Sequence, residues 1–198
     1  MRRAALLLAG ALLGGGAAAG TAVTAGSTTS PATDPAPCAP LAIRAGLAAP
    51  QAGDIYLRPG PATCDRAEVE VAGRGLAGVF TVSFAVRYPA ALLRYEGYAT
   101  GTMMARGSPA TAPLYLVRTP APGVVVVTMT RFAPDGGASA DGDAAFLGLR
   151  FGRVAAGDAT IDFDRASPGA APMRILGAAG ETIAARFGPG HGASVSIP

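Results

Sequence analysis

The chain has 198 residues, half of them apolar, and Gly and Pro together make up about 23%. This fits one domain with a sizeable core and many tight turns. The formal charge is +3, all 16 basic residues are Arg, and Lys, Asn and Trp are absent. Asn-linked glycosylation is thereby excluded, the best sugar-stacking side chain is missing, and a chain without a basic cluster argues against a nucleic-acid partner.

Residues 1–19 have the arrangement of a secretory signal peptide. Arg2 and Arg3 precede an apolar run from Ala4 to Leu13, and Ala17-Ala18-Ala19 offers a cleavage site. The run is short for a bilayer, and Gly14–Gly16 interrupts helix formation. Removing it leaves 14 Arg against 13 acids, and no second apolar segment of about 20 residues follows. The expectation is an exported chain (extracellular, periplasmic or at the cell surface) with no membrane span in its mature form. Residues 20–52, rich in Pro, Thr and Ala, read as a flexible leader that serves as tether or spacer. The folded domain is expected over 53–198.

Cys38 and Cys64 are the two cysteines of the chain. In an exported protein such a pair reads as one disulfide, and a loop of about 26 residues makes it worth roughly 3 kcal/mol. The alternative is lipid modification of Cys38, but Pro35-Ala36-Pro37 before it lacks the Leu and small-residue box of lipoproteins. Two Cys and one distant His are too few ligands for a metal site.

From residue 53 onward the pattern is short strands. Gly53–Arg58 reads as a strand closed by Pro59-Gly60-Pro61. Ala67–Ala72 alternates, with Val69 and Val71 inward and Glu68 and Glu70 outward. Gly73–Gly78 reads as a link too short for a helix, which implies antiparallel neighbours. The clearest strand follows from Val79. Phe80, Val82, Phe84, Val86 and Tyr88 share one face, and Thr81, Ser83, Ala85 and Arg87 share the other. Pro89 ends it, and a strand resumes near Leu93–Tyr98.

The loop after Tyr98 carries Met103 and Met104, either an adaptable surface or loop packing. Leu114–Arg118 alternates, and Gly123–Arg131, dense in β-branched residues, reads as a central strand buried on both faces. Pro134–Asp143 places Asp135, Asp141 and Asp143 among glycines. It lacks EF-hand spacing and reads as a solvated hairpin loop.

Further strands are expected at Ala145–Gly152, Asp158–Asp164, Met173–Leu176, Glu181–Ala185 and Ser194–Ile197. Asp162 and Asp164 alternate with apolar residues and so face solvent. His191, in Gly188–Gly192, reads as part of a mobile turn with no Ser or Cys nucleophile near it. The fold expected is all-β, an antiparallel two-sheet sandwich of about nine strands.

The order of features from Ile55 onward resembles the cohesin domain. Phe84-Ala85-Val86-Arg87-Tyr88-Pro89 with Leu92-Leu93 is similar to the family's Tyr-Asp-Pro-like corner and following leucine, although the Asp between Tyr and Pro is absent. Ala145–Phe151, Gly157–Ile161, Gly180–Ile183 and Val195–Ile197 are similar to its later strands. The resemblance implies a jelly-roll sandwich and a secreted, non-catalytic module for protein–protein (dockerin-like) assembly linked to polysaccharide catabolism. Alternatives are direct carbohydrate (polysaccharide) binding and a structural accessory of an envelope secretion or pilus system.

Residue types favour protein over sugar, because aromatics are few. Candidate protein-binding anchors are Tyr56, Tyr95, Tyr98 and Arg94. A hydrolase would need two carboxylates across a cleft, and the acids lie on solvent faces and in turns. The sequence assigns no catalytic residue, no cofactor, no metal site and no defined ligand-binding set.

Overall fold

The computed structural model describes residues 38–106, 112–132, 137–166 and 172–198, and in these the chain forms strands and no helix. The signal-peptide reading and the leader up to residue 37 lie outside the described residues. The strands are β1 (Ala42–Ala45), β2 (Ile55–Ala62), β3 (Arg66–Val79), β4 (Thr81–Arg87), β5 (Leu93–Thr100) and β6 (Leu114–Ala121). They continue with β7 (Val124–Thr130), β8 (Ala138–Arg153), β9 (Gly157–Phe163), β10 (Arg174–Leu176), β11 (Thr182–Ile183) and β12 (Ala193–Ile197).

All strand pairings are antiparallel and build two sheets, so the all-β sandwich expected from the alternation is the fold observed. The smaller sheet runs β2-β3-β8-β5. The larger one centres on β4, which pairs along its full length with β7, and β7 pairs with β6. On its other side β4 meets β10 at residues 81–83 and β9 at residues 86–87. β9 continues to β12 and β1, and β10 to β11.

Alternation explains the core between the sheets. Val82, Phe84 and Val86 of β4 and Leu147, Leu149 and Phe151 of β8 are fully buried. Burying each such side chain contributes about 1.5–3 kcal/mol. Tyr88, at the Pro89 corner, packs its ring 5.0 Å from that of Phe151 in the opposite sheet. Phe84 meets Phe163 edge-on at 5.8 Å. Met103 and Met104 are buried in this core, so the Met pair is loop packing.

Twelve strands stand where about nine were expected, and four differences have physical causes. First, Gly73–Gly78 does not link two strands; it lies inside the 14-residue β3. Gly75 and Gly78 adopt φ of +57° and +68°, where the ladder to β8 shifts register. Glycine at positive φ makes a bulge that bends a strand without ending it. Second, the partner of that bent end is the start of β8, so residues 138–143 of the expected hairpin loop are paired strand. Asp135 lies outside the described residues.

Third, β2 runs through Pro59 and Pro61 with a register irregularity there. Proline is tolerated because β2 is an edge strand. Fourth, β1 lies inside the stretch expected to be leader. It pairs with β12, Leu41 before it is buried, and folded chain therefore begins before residue 53. Val79, expected to open the β4 strand, is the last residue of β3.

The Cys38–Cys64 disulfide is present, with Cα atoms 5.7 Å apart. The His191 side chain, just after the turn at Pro189-Gly190, is 12% exposed. Its Nδ1 accepts the Gly188 N–H at 3.1 Å, and its Nε2 lies 3.4 Å from Asp54 Oδ1. Asp54 is 3% exposed and also accepts from Arg186 Nε and the Gln51 N–H, both at 2.6 Å. Burial alone would raise its pKa. The hydrogen bonds from Arg186, Gln51 and His191 outweigh burial and hold it below the ordinary carboxylate value.

Candidate functional site

Each sheet turns one face to the core and one outward, and the two outward faces differ in chemistry. On the smaller sheet the outward residues of β2, β3, β5 and β8 are charged and paired. Arg58 meets Glu70 at 2.7 Å, Arg150 meets Glu68 at 3.0 Å, and Glu96 receives Arg94 at 2.7 Å and Arg66 at 3.0 Å. Arg74 meets Asp143 at 2.6 Å. Gly148 and Gly152 of β8 leave room for the carboxylates of Glu68 and Glu96, which lie where a Cβ would stand.

Tyr56 is 3% exposed on this face. Burial, reinforced by the Asp143 carboxylate, pushes its phenol up to about 12. Burial would raise Asp143 too, but hydrogen bonds from Tyr56 and Arg74 hold it below its usual value.

On the larger sheet the outward residues of β4, β6 and β7 are mostly small, hydroxylic or apolar, with Arg87 and Arg118 as charged exceptions. Register places them in rows across the sheet: Leu114, Thr130 and Thr81; Leu116, Thr128, Ser83 and Arg174; Arg118, Val126 and Ala85. The hydroxyls satisfy one another, Thr81 with Thr130 at 2.9 Å and Ser83 with Thr128 at 3.3 Å. Ala85, Val124 and Val126 form a second, small buried cluster on this side.

Among the described residues four large apolar side chains are exposed, and three border this face. Leu114 is 50% exposed, Leu116 57%, and Phe132, two residues beyond Thr130, 61%. A face whose hydroxyls are already bonded can be covered by a partner without leaving polar groups unsatisfied. Its leucines gain from being covered.

The expected anchors are not brought together here. Tyr56 lies under the charges of the opposite face. Tyr95 packs on Phe151 at 6.0 Å, and Tyr98 stacks on Tyr115 at 5.8 Å, both against the core. Arg94 is held by Glu96. Asp164, expected to face solvent, is buried at the β4–β9 junction. Its N–H continues the ladder to the Ala85 carbonyl, and its Oδ1 accepts from the Ala166 N–H and Arg87.

Leu114 and Leu116 were missed as surface residues. The available signal was a strand, LYLV, that is apolar on both faces and begins next to Pro113. Among the described residues no three His, Cys, Asp or Glu side chains gather where they could hold a metal ion.

No protein-family model matches the sequence, and no curated protein matches it. Solved structures do match. The sixth cohesin of scaffoldin B of Acetivibrio cellulolyticus, solved in complex with a mutant Cel5 dockerin, is similar at 18% identity and TM-score 0.51, over 67% of this chain and 90% of that one. A type II cohesin module of the ScaA scaffoldin of the same organism is similar at 8% identity and TM-score 0.52, over 67% and 82%. The cohesin module of a family 33 glycoside hydrolase of Clostridium perfringens is similar at 11% identity and TM-score 0.51, over 73% and 95%. The two-sheet arrangement built above from alternation and register is thus similar to the fold of cohesin modules, and this chain is cohesin-like in fold.

Proposed function

We propose that the protein is an exported, non-catalytic receptor module that binds a dockerin-like protein partner on the outer face of β6, β7 and β4. The carrying observation is the concentration of exposed Leu114, Leu116 and Phe132 beside a row of mutually bonded hydroxyls. Contiguous exposed apolar surface marks interaction sites on otherwise self-satisfied domains. The cohesin likeness supports a protein partner, since one of the similar structures is a cohesin bound to a dockerin. Export is supported by the signal-like residues 1–19 and by the disulfide, a bond of oxidising compartments.

Direct polysaccharide binding has less support. Sugar rings stack on exposed planar side chains; all five Tyr are buried or packed against the core or beneath the charged face, which leaves Phe132 as the one large exposed ring among the described residues, too few for a stacking strip.

The test is calorimetric titration of the exported chain with a panel of purified dockerin modules, alongside retention on insoluble cellulose and chitin. Binding of at least one dockerin, lost in the Leu116→Glu variant, is the expected result. Retention on polysaccharide with no dockerin bound would replace this reading with the glycan one.

A further inference from the structure

His191 is the single histidine of the chain. It closes a tight turn over Gly188-Pro189-Gly190-His191. The His191 N–H donates to the Gly188 carbonyl at 3.2 Å, Pro189 presets the second position, and Gly190 takes a φ of +82° at the third. The ring folds back over the turn that it ends, and its Nδ1 accepts the Gly188 N–H at 3.1 Å. The approach is close, since a Cβ on Gly188 would stand 2.8 Å from Nδ1 and Cε1. Nε2 is buried, and its 3.4 Å to Asp54 Oδ1 is long for a hydrogen bond.

The turn is fastened on both sides and little within. Before it, Phe187 is buried and meets Phe163 edge-on at 5.4 Å; after it, Ala193 is buried at the start of β12. Of the five residues between, Gly188, Gly190 and Gly192 have no side chain, and none of the five belongs to a strand. Their carbonyls take two N–H groups, Leu57 on His191 at 2.7 Å and Gly46 on Gly192 at 2.8 Å. The charged groups beside the ring are Asp54 and Arg186, whose Nε donates to the same Oδ1 at 2.6 Å. Asp162 of β9 lies beyond Gly192, with Oδ1 3.0 Å from where a Cβ there would stand. Arg74 of β3 is committed to Asp143 and the Pro50 carbonyl. Asp54, held below the ordinary carboxylate value by hydrogen bonds that outweigh its burial, stays ionised in mild acid.

A neutral imidazole keeps one nitrogen that accepts, whereas an imidazolium has two donors and no acceptor. A second ring proton therefore sets donor against donor at Gly188. At the other nitrogen it favours Asp54, where the 3.4 Å separation leaves room to shorten into a charge-assisted bond. We infer that His191 is a proton-operated catch. The neutral ring holds the Gly188–Gly190 turn closed. The protonated ring releases Gly188 and draws in to Asp54. The two sheets stay packed, because no rung of their ladders passes through this turn.

The experiment is an NMR titration of the exported chain from about pH 8 to about pH 5. The lone imidazole reports its own protonation, and amide exchange, corrected for its intrinsic pH dependence, reports the turn. The expected result is a Gly188 amide slowed at least about 10-fold at the alkaline end, whose protection is lost over the interval in which the ring titrates. The amides of Phe84 in β4 and Leu149 in β8 keep theirs. In H191Q, which has no titrating ring, Gly188 exchange no longer follows pH. In D54N, which removes the charge that favours the ionised ring, ring and turn titrate together at lower pH.

Gly188 protection that survives titration of the ring, or that follows pH equally in H191Q, overturns the catch. So does loss of protection at Phe84 and Leu149 over the same interval, which would make the event unfolding rather than release. A D54N midpoint that stays or rises overturns the movement toward Asp54.

Discussion

On the β2-β3-β8-β5 face, five arginines lie against carboxylates; on the β6-β7-β4 face with β10, Arg118 and Arg174 lie against none among the described residues, and leucines stand beside bonded hydroxyls. Both faces come from the same period-two alternation over one core. Each exposed pair on the first face is worth only about 0–1 kcal/mol. Together the pairs consume the face's charges, so a charged partner gains little there. The second face leaves its attractive groups unused. Outer faces of one sandwich can thus be told apart by asking which has already satisfied itself.

Four measurements test that contrast. Phe84→Ala removes the core shared by both faces and should cost about 3–5 kcal/mol in chemical denaturation. A markedly smaller loss would mean that the two sheets do not stand on one core. Leu114→Glu with Leu116→Glu should weaken partner binding at least about 100-fold, near 2.7 kcal/mol, yet change unfolding free energy by no more than about 0.5 kcal/mol. A large stability loss would make those leucines structural and erase the contrast.

Glu68→Gln with Glu70→Gln should cost about 1 kcal/mol or less in dilute buffer, and less still at 1 M salt. They should leave partner binding unchanged in the same titrations.

Acid acts on the first face. Glu96, through its hydrogen bond from Arg94, is held below its usual value, and so is Asp143, where Tyr56 and Arg74 outweigh burial. A lowered folded pKa contributes stability that is complete above the unfolded value and is lost as pH falls through the folded one. Stability should therefore decline below about pH 4. Asp54, also held low, adds to the same window. Glu96→Gln with Asp143→Asn should flatten that decline without moving the neutral-pH affinity for the partner. A decline of unchanged steepness would assign acid sensitivity elsewhere.

Much of the fold was readable from side-chain type alone. Val82, Phe84 and Val86 alternate with Thr81, Ser83 and Ala85, and only one register buries the first set. The misreadings share one cause. Gly73–Gly78, Pro59–Pro61 and the start of β8 look like turns because Gly, Pro and Asp favour turns. In the fold they are bulges and edge positions that long strands tolerate. β1 was invisible because four residues, Ala42–Ala45, gain strand geometry only from β12 at the far end of the sequence.

The candidate face was less readable. Aromatic residues draw attention as anchors, yet Tyr56, Tyr95 and Tyr98 go to the core or beneath salt bridges. Leu114 and Leu116 look like core residues, and only the position of β6 at a sheet edge exposes them.

The disulfide has a mechanical consequence. Cys38 precedes β1, and Cys64 sits in the turn between β2 and β3. β1 is held to β12 by a short ladder of hydrogen bonds, which a pull along the chain would open one rung at a time. The crosslink intercepts that pull. Tension arriving at Cys38 passes through a covalent bond into the β2–β3 turn, and the residues between the two cysteines cannot be drawn out. A domain fastened through its N-terminal side would keep β1 in place under traction for as long as the bond stays oxidised.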